Sequence, residues 1–432
     1  MKKKTILLSL LLATSLWSVE LEESLKLRNE NAFLSHDGAV QKAVAYGKLE
    51  LEFKFEENAR FVTSGIVEGD WKDKIESDVL NTSNYSNASK PLALGNHGKA
   101  ELREFYYEKE FGATQLKVGK MQTVWGKADG IKLIDKLNPQ DFSEFILAPF
   151  EDSRIPLWSL SLTQSFEDSE LEFLWIPDTT YHKIPRVNGA YAFSSSRVVP
   201  QAPQGVNVRQ NEAKKPNDAF KDSDIALRYS KQLENMELGF YYLYAYDDFA
   251  VLYQDLDRAT RTVTLNPEYE RNYFYGMSMD YSKGEFVYRV EAGFTEGKHL
   301  LDVNGARGIS QSDEVAYIFG VDWYGLEESM LSMQVNQSYL LDHKDGFARP
   351  EVDNTVTLLY KKDLMNNTLH GEVLVIHNLN DDDGVLRPKL SYELDEESLV
   401  YTGLDHFYGS RDGLYGQFRE QNRVVLGVER TF

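Results

Sequence analysis

Cysteine is absent from this chain of 432 residues. That rules out a disulfide framework and fits passage through an oxidising compartment without one. Hydropathy is also low, with a mean of −0.45, which argues against a bundle of membrane helices. Positive charge is in short supply: 47 Lys and Arg stand against 68 Asp and Glu, a formal net charge of −21. A chain so acidic is not expected to bind nucleic acid. Common catalytic signatures are missing as well, with no G-x-S-x-G, no H-E-x-x-H and no phosphate loop. No fixed-period repeat, coiled-coil heptad or low-complexity linker divides the sequence, so one domain is the economical reading.

What the chain has is Tyr, Phe and Gly, at 25, 23 and 29 residues. Lys2, Lys3 and Lys4 precede the apolar run TILLSLLLATSLW, too short to span a bilayer and ending in small residues near Ser15 and Ser18. Residues 1–18 are therefore expected to be a cleaved signal peptide and residues 19–432 the mature domain. At the other end, VVLGVERTF puts Val424, Leu426, Val428, Arg430 and Phe432 on one face at period two. This end resembles the closing strand of bacterial outer-membrane barrels. The resemblance implies the outer membrane of a Gram-negative bacterium and recognition of the terminal Phe by the barrel-assembly machinery.

The same alternation recurs along the chain. In KLELEFKFEE, Leu49, Leu51, Phe53 and Phe55 alternate with Lys48, Glu50, Glu52 and Lys54; in EFVYRVEAGF, Phe286, Tyr288 and Val290 alternate with Arg289 and Glu291. Tight connections near Asn58, Gly112, Asp168, Glu234 and Gly284 alternate with long ones near 68–98, 122–156, 177–222, 247–270 and 297–313. The pattern predicts an all-β transmembrane antiparallel barrel of about 18 strands, with 16 as the alternative, its short turns in the periplasm. The weakly patterned LEESLKLRNENAF is the expected first strand.

Polar residues of mixed sign on the inner face imply a hydrated lumen. Glu50, Glu52, Lys54, Arg289, Glu291, Arg387 and Lys389 are the expected lumen-facing residues. Outer-membrane lipid and lipopolysaccharide are the expected surroundings, and a small-molecule solute the expected cargo. The basic stretch over 177–222, with Lys183, Arg186, Arg197, Arg209, Lys214, Lys215 and Lys221, reads as an ordinary solvated loop.

One segment breaks the alternation. Asn138-Pro139 resembles a helix N-cap followed by proline at the first position, with Asp141 and Glu144 in the first turns, then Phe142, Phe145 and Ile146 at helical spacing before Pro149. A two-turn amphipathic helix is predicted inside a long inward-folded loop, its apolar face buried against the inner wall or a neighbouring loop. The constriction is expected to involve Trp125, Lys127, Asp129, Asp135, Asn138, Pro139, Asp141, Phe142, Glu144, Phe145, Asp152 and Arg154.

Over about forty residues this segment resembles the family of outer-membrane β-barrel proteins called domain of unknown function 1302. The resemblance rests on Gly119-Lys120, Trp125-Gly126, Asp129-Gly130, Asn138-Pro139, Glu151-Asp152 and Arg154-Ile155-Pro156. It implies transport with the solute left open. The expected function is a porin-like channel for passive passage of small molecules, narrowed or gated by the 124–156 loop. The alternative is a component for uptake or export of lipid or hydrophobic compounds. A third reading, an outer-membrane hydrolase, would draw on Asp342-His343 or Asp405-His406, but neighbours on a strand point to opposite faces. No catalytic residue, metal ligand or cofactor is assigned.

Overall fold

The computed structural model describes residues 19–56, 58–72, 74–75, 80–126 and 131–432. The expected signal peptide, together with Lys127 and Asp129, lies outside them. Eighteen strands form one wall. They are β1 Glu20–Leu34, β2 Val40–Phe55, β3 Ala59–Asp70, β4 Gly98–Phe111, β5 Thr114–Met121, β6 Leu157–Ser165, β7 Ser169–Ile176, β8 Asp224–Leu233 and β9 Met236–Tyr246. The second half comprises β10 Arg271–Lys283, β11 Phe286–Ala306, β12 Ile309–Trp323, β13 Ser329–Leu340, β14 Val352–Leu364, β15 Leu369–Asn378, β16 Asp383–Asp395, β17 Ser398–Tyr408 and β18 Arg423–Thr431. Each pairs antiparallel with the next. Pairing of β1 with β18, from Lys26–Thr431 to Leu34–Arg423, closes the cylinder. Beyond that register, Phe432 and Leu25 exchange backbone hydrogen bonds of 2.9 and 3.2 Å, so the chain ends in the wall.

Closure explains the alternation. With no free edge, every strand has one face turned outward and one inward. The outward set is exposed and apolar, including Leu27, Leu49, Val67, Tyr275, Met333, Val335 and Val428. Inward positions hold buried polar residues such as Ser332, Gln334, Thr357 and Glu291. Aromatic pairs sit at both ends: Tyr244 on Tyr273 at the long-loop end, and Tyr281 on Tyr288 and Phe286 on Trp323 at the short-turn end. These are the boundary positions that amphipathic rings favour.

Two loop expectations change. Residues 297–313 are a continuation of β11 and β12, joined at Arg307-Gly308, both with positive φ. Bulges between Thr295 and Lys298 and between Leu301 and Ala306 blur the period there without ending the hairpin. The 177–222 stretch is also more than a solvated loop. Tyr191 is fully buried, Lys183 is buried beside Asp141, and Arg197 bridges Asp353 and Asp381. Lys214, by contrast, is open to solvent. Asn207–Gln210 from this stretch joins Val251–Asp257 and Thr262–Glu268 in a separate three-stranded sheet.

Candidate functional site: the inward loop and the lumen

The described residues of the connection from β5 to β6, 122–126 and 131–156, return between the walls instead of capping them. Asn138 ties its two arms together: its Oδ1 accepts from the Thr123 amide at 2.8 Å, and its Nδ2 donates to the Ile155 carbonyl at 2.9 Å. The Ile155 amide donates to the Pro139 carbonyl at 2.7 Å. Asn138 is thus a cross-brace and not the predicted cap. The predicted two-turn helix is not formed either. Residues 143–146 are a turn, with Phe145 amide donating to Phe142 carbonyl at 2.7 Å and Phe145 itself at φ 54°. The only helical turn of the loop's described residues is Phe150–Ser153. Burial of the Phe145 ring on a cluster of aromatic residues outweighs the helical spacing. Its centroid lies 4.7 Å from Phe418 and 5.8 Å from Tyr415, and Phe407 and Phe193 complete the surround.

Both ends of the loop dock on the barrel. On one side Trp125, Leu133, Ile134 and Leu137 pack against inward-facing Leu174, Ile176, Leu243, Phe274 and Ile318 from β7, β9, β10 and β12. The Trp125 Nε1–H donates to Glu172 at 3.1 Å, and the Ile134 amide donates to Glu291 at 3.2 Å. Gly126 follows at φ 78°, where a Cβ would meet Glu291 at 2.7 Å, so the Trp-Gly pair needs its glycine. On the other side Phe145 and Leu147 pack with Ile376, Val385 and Phe407 of β15, β16 and β17. Phe142 lies between His182 and Phe249. The segment therefore crosses the lumen, held by apolar contact at both walls.

Charge reinforces this. Glu144 pairs with Lys42 and, at 2.8 Å, with Arg423; Asp152 pairs with Arg28 at 2.9 Å and accepts from the Tyr46 hydroxyl. Asp141 pairs with Lys183 at 3.1 Å, and Arg154 grips Asp135 through Nε and a terminal nitrogen. Burial alone would raise the Glu144 and Asp152 carboxyls, but the cations of Lys42 and Arg423, and of Arg28, hold both below their ordinary values. Asp141 is held low in the same way by Lys183 and Lys99. His182 shows the opposite balance. Burial lowers it to about 3, so its Nδ1 is free to accept the Gln140 amide at 2.8 Å.

A cavity of about 600 Å³ runs beside the 140–153 stretch. Its lining mixes both signs: the barrel contributes Arg28, Lys42, Arg387, Lys389 and Arg423 together with Glu30, Glu68, Asp70 and Asp405, and the loop contributes Asp141, Glu144, Glu151 and Asp152. The expected inward residues divide accordingly. Arg387 and Lys389 line this cavity; Lys389 lies over the Tyr401 ring at 4.7 Å. Glu50, Glu52 and Lys54 pair with Lys48, Arg60 and Glu22 near the short-turn end, and Arg289 pairs with Asp280 and Asp322.

Several residues that hold the loop escape the period-two reading. Arg103 sits at a bulge between the β3 and β4 registers, where Ser64 faces Glu104 and Gly65 faces Leu102. The extra residue turns its guanidinium inward, where it pairs with Glu101 and donates to the carbonyls of Glu151 and Arg154. A second bulge, between Ala32 and Phe33, does the same for Gln41, which accepts from Arg423. Arg387, one of the expected inward residues, also holds the loop, donating to the carbonyls of Ile146 and Leu147 at 3.1 and 2.9 Å.

Wall, inward loop and residual cavity define the class: an 18-stranded β-barrel of outer-membrane type with a loop fixed across its lumen. The chain belongs to the family described as protein of unknown function (DUF1302), whose model matches residues 27–398. No curated protein matches it in sequence. Among solved structures it is similar in fold to OccAB3 of Acinetobacter baumannii, with a TM-score of 0.54 at 11% identity, over 96% of this chain and 99% of that one. The outer membrane protein OpdK of Pseudomonas aeruginosa gives a TM-score of 0.53 at 11% identity over 96% and 99%. OccK8 (OprE) of the same organism gives 0.53 at 12% identity over 96% and 98%.

Proposed function

We propose that this protein is an outer-membrane channel for passive passage of small, water-soluble molecules, with residues 122–156 as a fixed constriction. The observation that carries this reading is the cavity beside a loop clamped to both walls. Its charged lining suits hydrated solutes. The apolar side chains of the loop support the alternative, a path for hydrophobic compounds, less well, because Trp125, Leu133, Ile134, Phe145 and Leu147 are spent on wall contacts. Delivery to the outer membrane would follow from the leader at 1–18 and the closing strand β18. Pure folded protein in planar bilayers should give stepwise conductance, and liposomes containing it should swell in small sugars but not in large ones. Absence of steps in repeated insertions would rule the open channel out.

A further inference from the structure

Phe220 is a large apolar side chain left 80% exposed near the end of the 177–222 connection. Its ring stacks on Trp175, with centroids 5.8 Å apart and planes at 29°. Leu174 and Ile176 of β7 are buried inward against the loop, so alternation turns Trp175 outward between them. Register then sets Trp175 in a row: it faces Ile225 of β8, Ile225 faces Tyr244 of β9, and Tyr244 faces Tyr273 of β10. That row is the aromatic boundary at the long-loop end, and Phe220 lies against it.

The turn that presents Phe220 is braced by its own polar groups. The Asp218 carboxylate accepts from the Phe220 and Lys221 amides at 3.0 and 3.1 Å, and Asp222 accepts from the Asn217 and Asp218 amides, both at 2.9 Å. The Ser223 hydroxyl donates to the Phe220 carbonyl at 3.0 Å, and Arg271 of β10 donates to the Ser223 carbonyl at 2.9 Å. The same guanidinium lies over the Tyr244 ring, 4.6 Å from its centroid. Turn and aromatic row are thus joined into one outward surface.

We propose that the 217–223 turn is a bilayer anchor, in which Phe220 and Trp175 together enter the acyl-chain edge of the lipid leaflet at the long-loop end. The patch continues the lipid-facing wall, where Leu171 and Leu227 stand exposed on the same two strands that the turn meets. A phenyl ring at that depth leaves water, and a turn already braced loses little freedom on inserting. The charges about it, Lys221 and Arg271 against Asp218, Asp222 and Asp224, favour no anionic headgroup, so the grip is apolar. The anchor fixes one end of the connection whose Lys183 pairs with Asp141 of the inward loop. It rests on the barrel's seat in a bilayer and not on what passes through it.

The chain has no cysteine, so Phe220→Cys and, as an aqueous control, Val303→Cys each take a single nitroxide label. Val303 is 87% exposed and lies on β11 beyond Glu296, the register partner of Tyr273. In phosphatidylcholine vesicles, the label at 220 should relax more with oxygen, which dissolves among acyl chains. It should relax several-fold less with a water-soluble nickel chelate than the label at 303. Equal nickel accessibility at the two positions overturns the anchor. Dipolar broadening at 220 that disappears on dilution with lipid would assign the patch to a second copy, and overturns it too. The ring itself is tested without a label: Phe220→Ser should lower the midpoint of heat-modified gel migration in vesicles below that of Val303→Ser, and equal midpoints contradict the anchor.

Discussion

Arg103 has two carbonyls of the loop and the buried Glu101 to serve, so its replacement by Met leaves an uncompensated buried carboxylate and two loosened acceptors. Breaking such a pair costs about 3 kcal/mol or more. We expect Arg103→Met to fold as a barrel of lowered thermal stability, with faster tryptic cleavage at Lys132 and Lys136; cleavage at the native rate would mean that the loop is held elsewhere. The acidic clamps set a pH dependence. Glu144 and Asp152 have folded values below their unfolded ones, so their contribution is complete above the ordinary carboxylate range and is lost as pH falls through the lowered values. Conductance should stay level from pH 8 to pH 5 and rise only under stronger acid. A rise between pH 7 and 5 would point to a different latch.

Phe145 links the residue to the element that carries it. A left-handed backbone costs a non-glycine residue about 1–2 kcal/mol, whereas losing a buried Phe side chain costs about 3–5 kcal/mol. Burial wins, which is why the turn is stable and the helix is not. Phe145→Ala should therefore release the loop, and Phe145→Gly should do so less, because it relieves the backbone; Tm and protease sensitivity would show the order. The wall strands were legible in sequence because closure enforces period two, and the Trp-Gly and Asn-Pro motifs marked the loop correctly as special. The expected helix does not form because the helical spacing of Phe142, Phe145 and Ile146 also serves an irregular turn that packs rings on both flanks. Arg103 and Gln41 are not legible in the alternation for another reason: a bulge shifts phase by one residue, so an inward arginine stands where alternation places an outward one.

At the scale of the whole molecule, the barrel owes its closure to pairing between β1 and β18, and one loop crosses its lumen. The described residues that carry the family resemblance gather on that loop's attachments. Gly119 allows β5 to approach Phe105, where a Cβ would come within 2.1 Å of its carbonyl oxygen, and Lys120 donates to the Leu102 carbonyl beside the Arg103 bulge. Trp125, Asn138, Asp152 and Arg154 then fix the crossing. Charge counted over the whole chain says little about this interior, since most of the clamp charges cancel in pairs. The proposed function requires that the crossing narrow an aqueous path. It is tested most directly by comparing single-channel conductance of the native chain with a chain lacking residues 127–150, after heat-modified gel migration has shown both barrels folded. A clear rise in conductance on deletion is expected; an unchanged value in a folded barrel would mean that the crossing does not narrow the path.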